Sequence, residues 1–184
     1  MPQEKRENFF TELLKFALIA IVIVLPIRLF VAQPFIVSGA SMVPTFYNGQ
    51  YLIVDELSYR FEDPKRGEVI IFRYPKDPSQ FFIKRIIGLP GETVILSNGT
   101  VSVQKTDGST LLLDEQYVTK QGSATQTYEV PADNYFVMGD NRPESSDSRT
   151  WGFVPKENIV GRAFLRLLPI QKMTLFPGSV AEQQ

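Results

Sequence analysis

The sequence predicts a mainly β protein, folded as antiparallel sheets or a partial barrel, carried on one N-terminal transmembrane helix. Two observations predict this class: a long apolar run near the N terminus, and short β-rich runs separated by turn-forming residues over the rest. The 184 residues fit one domain with an appendage. The expected limits are a cytoplasmic N terminus at 1–12, a transmembrane anchor with its juxtamembrane segment at 13–37, a β-rich domain at 38–178 and a loose tail at 179–184.

The predicted anchor is built around the uninterrupted apolar run FALIAIVIVLPI, from Phe16 to Ile27. With its flanking residues, this run is long enough to cross a hydrocarbon core of ~30 Å. Lys15 and Arg28 lie towards its two ends, where long basic side chains can reach the interface. A buried core helix is the alternative, but a domain of this size has little use for a helix that is apolar on every face.

A cleavable signal peptide is a second interpretation of the same run. Cleavage after Ala40 would put two small residues, Ser38 and Ala40, at the positions that such a site requires, so this interpretation stays open. It would, however, separate Ser41 from the apolar run, and we favour an uncleaved anchor.

Basic residues set the expected orientation of the anchor. Lys5, Arg6 and Lys15 precede the main apolar run, and little basic charge follows it closely. Because cytoplasmic flanks are enriched in Lys and Arg, the N terminus should be cytoplasmic. The β-rich domain then lies on the outer face of the plasma membrane, or of an equivalent membrane such as the thylakoid.

After Phe46 the sequence changes to short β-rich runs bounded by Gly, Pro, Asn and Asp. The segment SNGT, Ser97 to Thr100, predicts a two-residue hairpin turn, since Asn-Gly accepts positive φ at both turn positions. The same NGT matches a glycosylation acceptor, but the turn explains it without further assumption. PKEN, at 155–158, suggests one helical turn. The predicted strands are YLIVDEL, GEVIIFRY, FFIKRIIG, ETVILS, TVSVQK, NYFVMGD and NIVGRAFLRLLPI.

Composition excludes several classes of function. A net charge of −1 and a pI near 5.6 argue against a nucleic-acid-binding surface, which would show clustered Lys and Arg. The chain has no Cys and no His, so it lacks thiolate nucleophiles, the usual base of serine hydrolases and the commonest metal ligands. The acidic segment DNRPESSDSR lacks the central Gly and final Glu of a calcium loop. We expect no metal and no cofactor.

The segment SGASMVPTF, Ser38 to Phe46, presents serines among small residues just after the apolar run. A serine hydroxyl is a weak nucleophile until a base accepts its proton. Without histidine, that base must be a carboxylate, a lysine or the N-terminal amine, and the last is predicted on the other side of the membrane. The sequence leaves a carboxylate or a lysine as the base.

Lys84 is the lysine most surrounded by apolar residues, in FFIKRIIGLPG. If this run is a strand, Lys84 and Arg85 point to opposite faces, so one of these cations must face a largely apolar surface. A base working near neutral pH needs the lysine pKa to fall by about three units from ~10.4, roughly 4 kcal/mol, which burial can supply. A Lys84 that reaches solvent at a sheet edge is the open alternative.

Ser102 and Lys105, in SVQK, have the Ser-x-x-Lys spacing of penicillin-interacting enzymes. That spacing works on a helix, where residues three apart share a face, whereas here it falls in an alternating run after a hairpin turn. The companion motifs are missing. We interpret this pair as structural.

Four segments resemble, in the right order, the sequence boxes of bacterial type I signal peptidases. These are membrane-bound serine–lysine proteases that remove signal peptides from exported proteins. GASMVPT at 39–45 resembles the nucleophile box, RGEVIIF at 66–72 the strand box, and KRIIGLPGE at 84–92 the lysine box. GDNRPESSDSRTWGFVP at 139–155 resembles the last box. The single anchor before the serine resembles the smaller, one-helix members.

The resemblance implies that Ser41 is the nucleophile and Lys84 its general base, cutting Ala-x-Ala-like sites of preproteins through an acyl-enzyme. It makes 38–178 the catalytic domain, with signal peptides and the lipid bilayer as partners. The implied supporting residues are Ser145, which would hydrogen-bond Lys84, the ion pair of Asp147 and Arg149, and the nearby Gly139 and Asp140. Without the resemblance, the last four would be read as a polar turn fixed by its own side chains.

One position departs from the enterobacterial form of the nucleophile box. Where that branch has an oxyanion-stabilising serine hydroxyl, this chain has Gly39, which offers no side-chain donor. The Ser41 backbone N–H is then the expected oxyanion donor. By the same resemblance, shallow apolar pockets for small substrate side chains should be lined by Phe35, Val37, Met42, Phe46, Phe82 and Ile83.

Two other classes of function are compatible with parts of this pattern. A self-cleaving repressor shares serine–lysine chemistry on a related β fold, but it would need a helix-turn-helix N terminus where this chain has the apolar run. A non-catalytic anchored β module that binds exported chains is the other alternative.

Overall fold

A computed structural model of the chain describes residues 9–30, 32–120 and 125–180. Within these residues the helices are α1, Phe9–Phe30, and the single-turn α2, Ser148–Trp151. The first six strands are β1 Ala32–Ile36, β2 Tyr51–Asp55, β3 Val69–Tyr74, β4 Asp77–Gly88, β5 Thr93–Ser97 and β6 Thr100–Gln104. The later strands are β7 Thr110–Leu112, β8 Gln126–Glu129, β9 Asn134–Met138, β10 Val154–Pro155, β11 Ile159–Leu168 and β12 Thr174–Leu175.

The strands form two antiparallel sheets. The larger follows the order β1-β2-β11-β3-β4-β9-β10, with β12 paired to β11, and the smaller follows the order β7-β6-β5-β8. Every strand pair described is antiparallel. The predicted mainly β, antiparallel architecture is therefore confirmed. The smaller sheet is formed by β5 to β8, which lie in the sequence between β4 and β9 of the larger sheet.

Local turn chemistry agrees with the sequence. Asn98 and Gly99 have φ values of 46° and 85° and close the hairpin between β5 and β6. The predicted helical turn at PKEN is a 3-10 turn over Lys156–Asn158. Each of the seven predicted runs contains a strand, while β1, β7, β8, β10 and β12 were not predicted.

The N-terminal helix differs in its limits from the predicted anchor. It begins at Phe9 and ends at Phe30, and the chain then enters β1, so the sheet starts before the expected boundary at residue 38. Pro34 is accommodated because β1 is the outermost strand of its sheet. Over the part of the chain that the structure describes, none of the helices reaches the length and apolar character needed to cross a membrane. Residues 1–8 and 181–184, parts of the predicted N terminus and tail, lie outside the described residues.

The hydrophobic core consists of three clusters of buried side chains, which come from strands of both sheets and from the segments between them. One cluster fills the space under the segment that follows β1, and its buried members are Val37, Met42, Phe46, Leu52, Val54, Val69, Ile71 and Ala163. A second lies around Phe72 and Trp151, and a third joins the smaller sheet to β9 through Phe136. The first cluster, to which β3 contributes Val69 and Ile71, fixes the segment that carries Ser41.

Candidate active site

The chain between β1 and β2 forms a compact turn that carries Ser41. Gly39 has a φ of +88°, a backbone conformation that favours glycine, and its N–H donates to Asn48 Oδ1 at 3.0 Å. The Phe46 N–H donates to the Met42 carbonyl at 2.8 Å, which closes a helical turn just after the serine. We call residues 38–46, which carry the candidate nucleophile Ser41, the nucleophile turn. Its apolar side chains point into the core, and Ser41 is left at its surface.

Lys84 lies on β4 and contacts Ser41 directly. Its Nζ is 2.7 Å from Ser41 Oγ, although the two residues are 43 apart in the sequence. Nζ also donates to the carbonyl of Ile83 at 2.9 Å. In the neutral amine, that donation orients the nitrogen so that its lone pair can accept the Ser41 hydroxyl proton. The structure thus brings together the two residues that the sequence singled out.

The environment of Lys84 disfavours its charged form. The side chain is 5% exposed, and Phe82 lies beside it with Nζ 5.4 Å from the ring centroid. Burial lowers the pKa of Lys84 to about 8 from its ordinary value of 10.5, against the opposing effect of the carboxylates of Asp147 and Asp140. Desolvation penalises the ammonium more than the amine, which is the physical cause of the shift. A substantial neutral fraction is therefore present near pH 8.

Arg85, the next residue on β4, is also buried, so both cations are removed from solvent rather than one of them. Arg85 binds Asp140 through two hydrogen bonds, Nε to Oδ1 at 2.9 Å and Nη2 to Oδ2 at 2.7 Å. Asp140 in turn accepts a hydrogen bond of 2.5 Å from the hydroxyl of Thr45 in the nucleophile turn. The strand that carries Lys84 and the turn that carries Ser41 are therefore linked through one carboxylate.

The loop at 139–149 closes the site from the other side. Asp147 is fully buried and forms an ion pair with Arg149, Nε to Oδ1 at 2.8 Å, and it also accepts from the Gly139 N–H at 3.1 Å. A Cβ on Gly139 would lie 2.3 Å from Ser145 Oγ and 2.4 Å from the Ser41 carbonyl oxygen. Only glycine fits at this point of contact between the loop and the nucleophile turn.

Ser145 lies at this contact, but its hydroxyl does not make the expected hydrogen bond to Lys84. Among the described residues, Ser145 Oγ is buried and has no hydrogen-bond partner. The expected hydrogen bond from Ser145 to Lys84 is therefore absent from this structure. Both hydrogen bonds of Lys84 Nζ go instead to Ser41 and to its own strand.

An open groove of about 550 Å³ runs past Ser41 and Lys84. Of the expected pocket residues, Phe35, Val37, Phe82 and Ile83 line it. Met42 and Phe46, in contrast, are 1% and 0% exposed and belong to the core cluster below the groove. They were wrongly placed because the helical turn after Ser41 directs both side chains inwards.

Three residues of the site were not singled out from the sequence as contacts. Thr45 and Arg85 meet at Asp140, and Asn141 donates to the Ala40 carbonyl through Nδ2 at 3.1 Å. All three lie inside the four quoted segments. Their partners are distant in sequence, so the motifs offered no signal for the contacts themselves.

Comparison with known proteins identifies relatives over most of the chain. A family profile described as signal peptidase, peptidase S26, matches residues 10–168. A probable signal peptidase I-2 of Synechocystis sp. is 42% identical over 179 residues, covering 92% of this chain and 78% of that protein. A signal peptidase I of Leptolyngbya laminosa is 38% identical, covering 93% and 86% respectively. The crystal structure of a signal peptidase I from Enterococcus faecalis is 34% identical and covers 55% of this chain and 97% of its own, with a TM-score of 0.47.

Proposed function

Because this chain belongs to the signal peptidase, peptidase S26, family, we propose that it is a membrane-anchored serine endopeptidase that removes signal peptides from exported preproteins through a Ser41–Lys84 dyad. The peptidase activity follows from the family, and the dyad is our assignment. The observation that carries the assignment is the distance of 2.7 Å between Lys84 Nζ and Ser41 Oγ in a buried setting.

The proposed reaction has two steps. Ser41 Oγ attacks the scissile carbonyl carbon while Lys84 Nζ takes its proton, and the resulting oxyanion accepts a hydrogen bond from the Ser41 N–H. The tetrahedral intermediate then expels the new N-terminal amine, which receives the proton from Lys84. Lys84 next takes a proton from water, whose oxygen attacks the acyl-enzyme, and the signal peptide leaves with a carboxylate as Ser41 regains its proton.

The groove supports a preference for small-x-small sites. Its wall next to Ser41 is apolar, with Phe35, Val37 and Ile83 among the lining residues. In an extended substrate, side chains one and three places before the cut point in the same direction and would meet the same wall. Bulky apolar groups already occupy that wall, so only small substrate side chains fit against it closely.

The first helix supports membrane anchoring. Nine large apolar side chains between Phe9 and Val22 are exposed, an arrangement that water does not favour. The helix leads at once into β1, whose Phe35 lines the groove. From Phe30 to Phe35 the chain spans at most ~18 Å, so a helix end at the membrane surface would keep the groove near it. The N terminus would be cytoplasmic and the β domain would lie outside.

Incubation of the detergent-solubilised protein with a preprotein tests this function. We expect a new N terminus immediately after the second small residue of the site, and no product with the Ser41→Ala variant. Ser102→Ala is the matched control, because Ser102 lies on β6 in the other sheet, and it should cleave normally. Binding without cleavage would favour a non-catalytic module, and cleavage of the chain itself alone would favour the repressor class. Activity retained in Ser41→Ala would refute the dyad.

The pH dependence of cleavage tests the role of Lys84. The neutral amine is the active form, so kcat/KM should rise with pH through a midpoint near the pKa of about 8. The measurement uses a short peptide substrate that has no group titrating between about pH 6 and pH 10. A rate that stays constant across this range would argue against a lysine base.

A further inference from the structure

Asn141 holds two consecutive peptide groups of the nucleophile turn. Its backbone N–H donates to the Ser41 carbonyl at 3.0 Å, and its side-chain Nδ2 donates to the Ala40 carbonyl at 3.1 Å. The Val43 N–H also donates to the Ala40 carbonyl, at 3.1 Å. The peptide group between Ala40 and Ser41 is therefore fixed at its carbonyl end by two donors, one from the turn and one from the loop at 139–149.

A fixed Ala40 carbonyl also fixes the direction of the Ser41 N–H. The Ala40–Ser41 peptide bond is trans, and in a planar trans peptide the C=O and the N–H point in opposite directions. The Ser41 N–H therefore points away from Asn141 and Val43. Among the described residues, it donates to no backbone carbonyl. Donors on the carbonyl polarise the amide and strengthen its N–H as a donor.

We propose that Asn141 is a positioning residue for the oxyanion hole, because its side-chain amide sets the plane of the peptide whose N–H would bind the oxyanion. The inference rests on the proposed function and adds to it the group that aims the donor. Gly39 supplies no side-chain hydroxyl, so the orientation of the Ser41 N–H carries more of the stabilisation here. A donor acts in this way only if its direction is set before the charge develops.

The packing around Asn141 makes such alignment rigid. A Cβ on the neighbouring Gly139 would lie 2.4 Å from the Ser41 carbonyl oxygen, so the loop already lies against the turn. Asp140, between these two residues, is tied to Thr45 and Arg85. The loop backbone is thus held independently of the Asn141 side chain. Shortening that side chain should release the Ala40 carbonyl without detaching the loop.

Asn141→Ala tests the inference through kinetics. We expect kcat for peptide cleavage to fall by ~10-fold to ~10²-fold, with KM changed by less than about twofold, because only the charged intermediate uses the oxyanion donor. The midpoint of the pH profile should stay where it is, since the contact between Lys84 and Ser41 is untouched. Asn134→Ala is the matched control, because Asn134 Nδ2 also donates to a backbone carbonyl, that of Ala132, at 2.8 Å. It should leave kcat unchanged.

Binding of two peptide analogues separates positioning from a structural role. A peptide aldehyde adds Ser41 Oγ to its carbonyl carbon and forms an oxyanion or hydroxyl in the hole, whereas a peptide with a reduced scissile bond has no such oxygen. In Asn141→Ala, affinity for the aldehyde should fall by the same factor as kcat, and affinity for the reduced peptide should be unchanged. An equal loss for both peptides, or an unchanged kcat, would overturn the inference. Loss of cleavage in Ser41→Ala with normal kcat in Asn141→Ala would refute the inference alone.

Discussion

Replacing Lys84 with methionine should lower kcat/KM for preprotein cleavage by ~10³-fold or more while leaving the β domain folded. Methionine keeps the unbranched apolar stem and removes the amine that lies 2.7 Å from Ser41 Oγ. Without it, no described side chain contacts the Ser41 hydroxyl through a hydrogen bond that could remove its proton. Lys156→Met is the control, because Lys156 is exposed and pairs with exposed Asp63. A Lys84→Met variant that kept activity within about tenfold would exclude lysine as the base.

The same variant should be more stable than the parent protein below pH 8. The folded state lowers the pKa of Lys84 from 10.5 to about 8, which corresponds to about 3 kcal/mol of selective destabilisation of the ammonium form. Below the folded pKa the lysine is charged in both the folded and the unfolded state, so the folded protein is destabilised by the full penalty of burying the ammonium group. Between pH 8 and 10.5 only the unfolded chain binds the proton, so the stability of the parent protein rises with pH. Chemical denaturation should show the advantage of Lys84→Met shrinking over that interval.

The sequence predicted well those features that depend on neighbouring residues. The hairpin at Asn98-Gly99 was predicted because the turn depends only on the ability of these two residues to adopt positive φ. The apolar neighbours of Lys84 predicted a buried cation, because adjacent residues in a strand point to opposite faces and one of the two cations must then face a largely apolar surface. The structure exceeded that expectation by burying Arg85 as well, since a carboxylate 55 residues away neutralises it. Such a partner has no signature in the strand itself.

The features that were missed depend on how separate segments meet. β1 was read as part of the apolar anchor, because Pro34 weakens a strand pattern and its partner β2 lies well beyond the nucleophile turn. Met42 and Phe46 were expected in the groove, and only the helical turn after Ser41 sends them into the core. Ser145 was assigned a bond to Lys84 from resemblance alone, whereas its distance from Lys84 depends on the fold of the whole loop.

The buried pair of Arg85 and Asp140 is where we expect the largest loss of stability. Their side chains are 0% and 1% exposed. Among the described residues, Asp140→Ala would leave the guanidinium without a carboxylate, with the carbonyls of Gly67 and Gly178 and the ring of Tyr117 as its remaining contacts. Removing one member of a buried pair costs about 3–5 kcal/mol, since an uncompensated charge stays in the interior. Asp63→Ala is the control, because an ion pair as exposed as that of Asp63 and Lys156 should contribute little to stability.

A double replacement, Arg85→Met with Asp140→Leu, separates the cost of a stranded charge from the value of the pair. If the stranded charge dominates, the double variant should recover most of the stability that Asp140→Ala loses, because no charge remains buried. Its activity should nevertheless stay low, since Thr45 in the nucleophile turn loses the carboxylate that it binds. In the single variant Asp140→Ala, the loss of a charge that raises the pKa of Lys84 should make any residual activity titrate at lower pH. If the double variant is as unstable as Asp140→Ala, the loss of stability comes from losing the ion pair itself and not from a charge left buried without a partner.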